Sequence, residues 1–247
     1  MVLATISDLH IRHLGDAGHQ CLVAFLTSAT VRRASHLALL GDIFDLMAGD
    51  HGRYVERWGP IWSLLAECAA RGTRVLYAEG NHDMHLGNLF ARVKKKWPGL
   101  EIELIPENYL LELGAQKIVL GHGDEYNRTD VKYLKYKRFI KAPPLRLIAD
   151  HVMPLAVLDA IGTRASKRSR AYGMKTFDEA RVREQTRIGV RTQTPADVDV
   201  VIGGHSHVMD EWRFDEKLYL NNGFPPRSHH FCVVDEDGGR LELLHAQ

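Results

Sequence analysis

A chain of 247 residues with 45% apolar and 26% charged positions can build one large α/β domain around a sizeable core. That balance excludes wholesale disorder, and no apolar run approaches the roughly 20 residues that a membrane-crossing helix needs. The net charge of +1 is near neutral for the whole chain, but it is unevenly spread.

In chain order, residues Met1 to His10 lack a basic leader and meet a charge at Asp8. They read as a first strand over Val2 to Ser7 rather than a secretory signal. Ala17 to Arg33 has amphipathic helical spacing, His36 to Leu40 reads as a second strand, and Tyr54 to Arg71 as a helix ending before Gly72. Arg74 to Ala78 is a third strand, followed by short strands at Glu101 to Ile105, Tyr109 to Leu113 and Lys117 to Leu120, with Gly114 turning the last pair. Asp130 to Gly189 is then helical in period and rich in Arg and Lys; Pro143, Pro144 and Pro154 break it into several helices. Strands return at Asp199 to Ile202, Val208 to Phe214, Lys217 to Leu220, His230 to Val234 and Arg240 to His245. A helical insertion, about 126–191, thus interrupts a β-rich single domain spanning 1–247. Cys21, Cys68 and Cys232 are odd in number and far apart, which fits reduced thiols in a cytoplasmic protein.

The insertion carries the charge asymmetry. Between Tyr126 and Arg191 sixteen Lys/Arg face six Asp/Glu, a local net of +10 that leaves −9 on the rest of the chain. An apolar stretch from Leu145 to Ile161 lies between basic clusters at Lys132 to Lys141 and Arg164 to Arg170. Apolar and cationic surfaces side by side suit an amphiphile with a phosphate head. Helix-packing core and solvated charged faces are the blander explanations.

Five short motifs each follow a strand. They are Asp8-Leu9-His10, Gly41-Asp42-Ile43-Phe44-Asp45, Gly80-Asn81-His82-Asp83, Gly121-His122-Gly123-Asp124 and Gly203-Gly204-His205-Ser206-His207. In open α/β sheets the carboxyl ends of strands are where sites assemble. Carboxylates and imidazoles with one amide oxygen suit Mn²⁺, Fe, Zn²⁺ or Mg²⁺, and the lack of thiolates argues against a structural zinc. Singly, each motif is as well explained by a cap, a turn residue or a core histidine. Together and in this order they point to a metal centre.

The five motifs resemble those of the calcineurin-like metallophosphoesterase family across Asp8 to His207. That resemblance implies a four-layer α/β/β/α sandwich with a helical lid, and two divalent metal ions, manganese foremost. One ion would take Asp8, His10, Asp42 and His207; the other Asp42, Asn81, His122 and His205, with Asp42 bridging. Two such cations activate a water for attack on phosphorus. His82 would stabilise or protonate the leaving oxygen beside Asn81, both meeting the phosphate, and Asp83 would orient the His82 ring.

A narrower resemblance, over Gly41 to Asp50 and His122 to Tyr133, is to the UDP-2,3-diacylglucosamine hydrolases of lipid A synthesis, which release UMP and a lipid 1-phosphate. It implies a nucleotide-linked lipid as partner, contact with the inner membrane face, and substrate contacts from Arg164, Ser166, Lys167, Arg170 and Lys175. Those hydrolases usually carry Arg where this chain has His82; phosphoesterases in general carry His. Two other readings stand beside this one. A phosphodiesterase or nuclease of the same family would use the basic segment to track a phosphate backbone. A non-catalytic scaffold should have lost ligands, and here every position is filled.

Overall fold

The computed structural model describes residues 1–127, 131–142 and 177–245. In chain order these form β1 (Leu3–Ile6), α1 (Ala17–Thr27), α2 (Ala29–Arg32), β2 (His36–Leu40), β3 (Met47–Ala48), α3 (Gly52–Arg57), α4 (Gly59–Ala70), β4 (Arg74–Ala78), β5 (Asp83–Met84) and α5 (Gly87–Lys96). There follow β6 (Ile102–Ile105), β7 (Tyr109–Leu113), β8 (Gln116–Leu120), α6 (Val131–Ile140), α7 (Glu179–Gln193), β9 (Val200–Gly203), β10 (Met209–Phe214), β11 (Lys217–Asn222), α8 (Pro225–Ser228), β12 (His230–Asp235) and β13 (Gly238–Leu243).

Period-two alternation builds the layers. In β2, Leu37 and Leu39 point into a core shared with α1 to α5, whereas Ala38 and Leu40 point the other way into a core between two sheets. Val75 and Tyr77 of β4 divide from Leu76 and Ala78 in the same manner. The first sheet has six strands in the order β13-β12-β1-β2-β4-β6; the second has five, β10-β11-β9-β8-β7. Its far face, carrying Val119, Val201 and Tyr219, is covered by Tyr126 and by Val190 of α7. The result is an α/β/β/α sandwich.

This layering relocates part of the insertion. Residues Glu179–Gln193 form the fourth layer, because Val190 and Gly189 sit flush on the core; a Cβ on Gly189 would collide with the Tyr126 backbone. The helix that stands over the site is α6, at the insertion's start. The single helices expected over Ala17 to Arg33 and Tyr54 to Arg71 are each two, since Ser28 and Trp58 leave helical geometry and end the first of each pair. Among the described residues no helix is long and apolar enough to cross a membrane.

Candidate metal centre

Parallel pairing sets the site. β1, β2 and β4 run parallel, as do β8 and β9, so the turns after all five open on one edge of the sandwich. The backbone there is unusual. Asp8, His10, Asp42, His205 and His207 have φ of 58°, 48°, 52°, 63° and 56°. Left-handed conformations cost a non-glycine residue free energy, and five among the sequence-selected ligands mark a strained functional edge. Two glycines permit the close approach. A Cβ on Gly80 would strike the Asp42 carboxylate and backbone, and one on Gly204 would strike Asp8 and Ser7.

The side chains gather as the motifs suggested. Asp8, His10 and His207 present ligand atoms within 4.8 Å of one another, and so do Asp42, His122 and His205. His10 Nε2 and His207 Nε2 are 3.1 Å apart, and His207 Nε2 lies 3.4 Å from Asp8 Oδ1. Asp42 Oδ2 stands between the two groups, 3.8 Å from His10 Nε2 and 3.6 Å from His122 Nε2. Asn81 Oδ1 faces His122 Nε2 at 3.3 Å.

The donor set fits divalent cations. Asp8 and Asp42 are buried, and no Lys or Arg among the described residues pairs with either. His122 Nδ1 donates to the Leu40 carbonyl at 2.9 Å, which turns Nε2 towards Asp42 as the atom that a cation would meet. Burial pushes His10 down to about 4, against the pull of Asp42. Burial and the neighbouring His122 do the same to His205, also to about 4, so both rings are neutral and ligand-ready. Burial opposes charge on His122 as well, yet Asp42, Asp8 and Asp124 together raise it to about 9. Such a negative field is one that bound cations relieve.

Two polar braces hold the ligand turns. On one side Ser7 Oγ donates to Asp8 Oδ2 at 2.6 Å, and buried Asn222 accepts from Ser7 N at 3.1 Å. Its neighbour Asn221 donates to the Gly204 carbonyl at 2.9 Å. Sequence reasoning missed these two asparagines, the last residues of β11 just before Gly223. On the other side the Tyr133 hydroxyl of α6 donates to Asp124 Oδ2 at 2.8 Å and lies 3.2 Å from Asn81 Oδ1. Lys137, buried on the same helix, reaches Asp124 Oδ1 at 2.7 Å and Glu107 Oε1 at 2.8 Å.

Asp83 needs a correction. It does not orient His82. The Asp83 carboxylate turns inward to accept from Asp42 N (2.9 Å), Ile43 N (2.8 Å), Gly80 N (2.8 Å) and the Tyr77 hydroxyl. Burial and the charge of Asp42 raise it to about 6. The His82 ring instead meets Asp45, its Nδ1 donating to the Asp45 carbonyl at 2.8 Å. Asp83→Ala would leave three buried N–H groups unpaired, so unfolding free energy should fall on the order of 3–5 kcal/mol. A urea titration with an unshifted midpoint would show that Asp83 does not brace the Asp42 turn. Of the substrate residues expected from sequence, Asn81 and His82 line the cavity over the centre. Arg164, Ser166, Lys167, Arg170 and Lys175 lie outside the described residues.

The chain is similar to known proteins over most of its length. The family model for calcineurin-like phosphoesterases matches residues 1–209. A protein of Pseudomonas paraeruginosa named UDP-2,3-diacylglucosamine hydrolase is 30% identical over 250 residues, covering 98% of this chain and 95% of that one. One of the same name from Bordetella pertussis is 30% identical over 264 residues, covering 94% and 91%. Among solved structures an archaeal phosphodiesterase aligns with a TM-score of 0.49 at 14% identity, over 99% of this chain and 100% of that one. The chain belongs to the calcineurin-like phosphoesterase family and is a metal-dependent phosphoesterase.

Proposed function

We propose that this chain is a two-metal hydrolase that cuts UDP-2,3-diacylglucosamine, or a closely related nucleotide-linked lipid pyrophosphate, to UMP and a lipid 1-phosphate. The observation that carries the chemistry is the placement of buried Asp42 between two groups of imidazole and carboxylate donors. Asp8, His10, Asp42 and His207 hold one divalent ion, and Asp42, Asn81, His122 and His205 the other. Manganese suits this set, as do iron, zinc and magnesium. When bound, such a pair lowers the pKa of water and neutralises phosphoryl charge.

The chain's own groups do the rest. His82 is fixed by its Nδ1–H bond to the Asp45 carbonyl, so Nε2 is the nitrogen free to serve a leaving oxygen. Burial works against its charge, but Asp42, Asp45 and Asp83 raise its pKa above the ordinary histidine value. Helix α6, tied to Asp124 and Glu107 through Lys137, brings Tyr133 to the cavity and shares in selecting the substrate. The substrate assignment rests on the near full-length similarity to proteins named UDP-2,3-diacylglucosamine hydrolase. A lipid-linked substrate brings the enzyme to the inner membrane surface.

Hydrolysis of UDP-2,3-diacylglucosamine, measured beside bis-p-nitrophenyl phosphate and single-stranded nucleic acid, tests the reading. The lipid pyrophosphate should be the best substrate by kcat/KM, with UMP as product. Turnover of the diester or the nucleic acid with the lipid left intact would give the function to a phosphodiesterase instead.

A further inference from the structure

The cavity above the metal centre measures about 610 Å³, far more than one phosphoryl group fills and within the range of organic ligand sites. Its lining is unevenly charged. Among the described lining residues Asp16, Asp42 and Asp45 face one permanent cation, Arg12.

Arg12 is held firmly at its backbone and only by one long ion pair at its head. Just before it, Ile11 N donates to the Ile43 carbonyl at 2.9 Å, and the Ile11 carbonyl accepts from Asp45 N at 3.0 Å. These bonds lock the turn after His10 to the turn after Asp42. Arg12 N donates to Asp16 Oδ2, and its carbonyl accepts from Arg57 Nη2, both at 2.8 Å. The side chain beyond is 58% exposed, and its Nε stops 3.8 Å from Asp45 Oδ2, outside hydrogen-bond range. The other oxygen of that carboxylate lies 4.0 Å from His10 Nδ1. The guanidinium therefore stands one carboxylate away from the metal centre, over the same cavity, with its donors unspent on the described residues.

We propose that Arg12 is a specificity-determining residue that binds the second phosphate of a pyrophosphate-linked substrate, the one that is not attacked. This rests on the reading of the centre as the place where the first phosphate is cleaved. A guanidinium offers a planar fork that matches phosphate oxygens two at a time. Asp16 anchors the Arg12 backbone, and Asp45 keeps the head near the cavity without saturating it. A monoester or a simple aryl diester has no second phosphate to engage, so the contact separates pyrophosphates from the other phosphate esters the centre could accept.

The test is calorimetric binding of UDP and UMP to the metal-loaded protein at fixed free divalent ion, with wild type, Arg12→Ala and Arg12→Lys. The two ligands differ by one phosphate. Wild type should bind UDP about 10- to 100-fold more tightly than UMP, the worth of one charge-assisted pair. In Arg12→Ala that gap should close, mostly through weaker UDP binding, and Arg12→Lys should reopen part of it. Equal weakening of both ligands would make Arg12 a general field effect and overturn the proposal. A wild-type protein that does not prefer UDP would overturn it too. A preserved UDP preference in a protein that cleaves no pyrophosphate would instead sink the functional reading above while leaving Arg12 as a second-phosphate contact.

Discussion

Replacing Asp42 with Ala is expected to remove hydrolysis and both cations together. The carboxylate is buried, and its backbone sits at φ 52°. Its Oδ1 accepts from the backbone N–H groups of Asn81 and His82, each at 2.9 Å. That leaves Oδ2 facing the imidazoles of both donor groups. No other described side chain occupies that position between them. Losing the shared ligand removes several kcal/mol of charge stabilisation, so the rate should fall at least about 10³-fold. Asp42→Asn keeps an oxygen for the two N–H groups and removes the charge, which separates metal loss from misfolding. Metal analysis that finds two ions still bound in the folded Asn variant would show that Asp42 does not bridge.

The second large effect belongs to His82, and it has the opposite metal signature. The ring makes a T-shaped contact with His10 at 4.8 Å between centroids and anchors on the Asp45 carbonyl. His10, Asp45 and His82 also present donor atoms within 4.8 Å of one another, so the metal content of a His82 variant separates an acid from a ligand. His82→Ala should keep both ions while the rate drops about 10²- to 10⁴-fold, the usual loss when a general acid is removed. Loss of an ion from this variant would make His82 a ligand. His82→Arg separates two roles: recovered rate would mean that positive charge is what the position supplies, and an inert variant would mean that the proton is.

Much of this was legible in the sequence because it depends on local pattern. His36–Leu40 and Arg74–Ala78 are short continuous apolar runs and Tyr109–Leu113 alternates, so their limits match the structure. The five motifs were visible because each puts ligand-type residues directly after a strand. What stayed hidden depends on three dimensions. Helix α5, left unassigned from the sequence, buries Leu89, Phe90 and Val93 next to a run of three lysines. The left-handed backbone of Asp8 and His207 leaves no trace in residue type. Asp83 adjoins His82 in sequence, which suggested a partnership; in the fold Asp83 is spent on the N–H groups of Asp42, Ile43 and Gly80 while His82 meets the Asp45 carbonyl. Asn222 braces Ser7 from 215 positions away, a separation that no local pattern reports.

The central claim is that two cations, bridged by Asp42, make one working centre. Titrating the chelated protein with Mn²⁺ while recording bound metal and hydrolysis of bis-p-nitrophenyl phosphate tests it most directly. The account predicts binding that ends at two equivalents per chain, with most of the activity arriving on the second. Saturation of both binding and rate at one equivalent, or full activity with no metal bound, would contradict it.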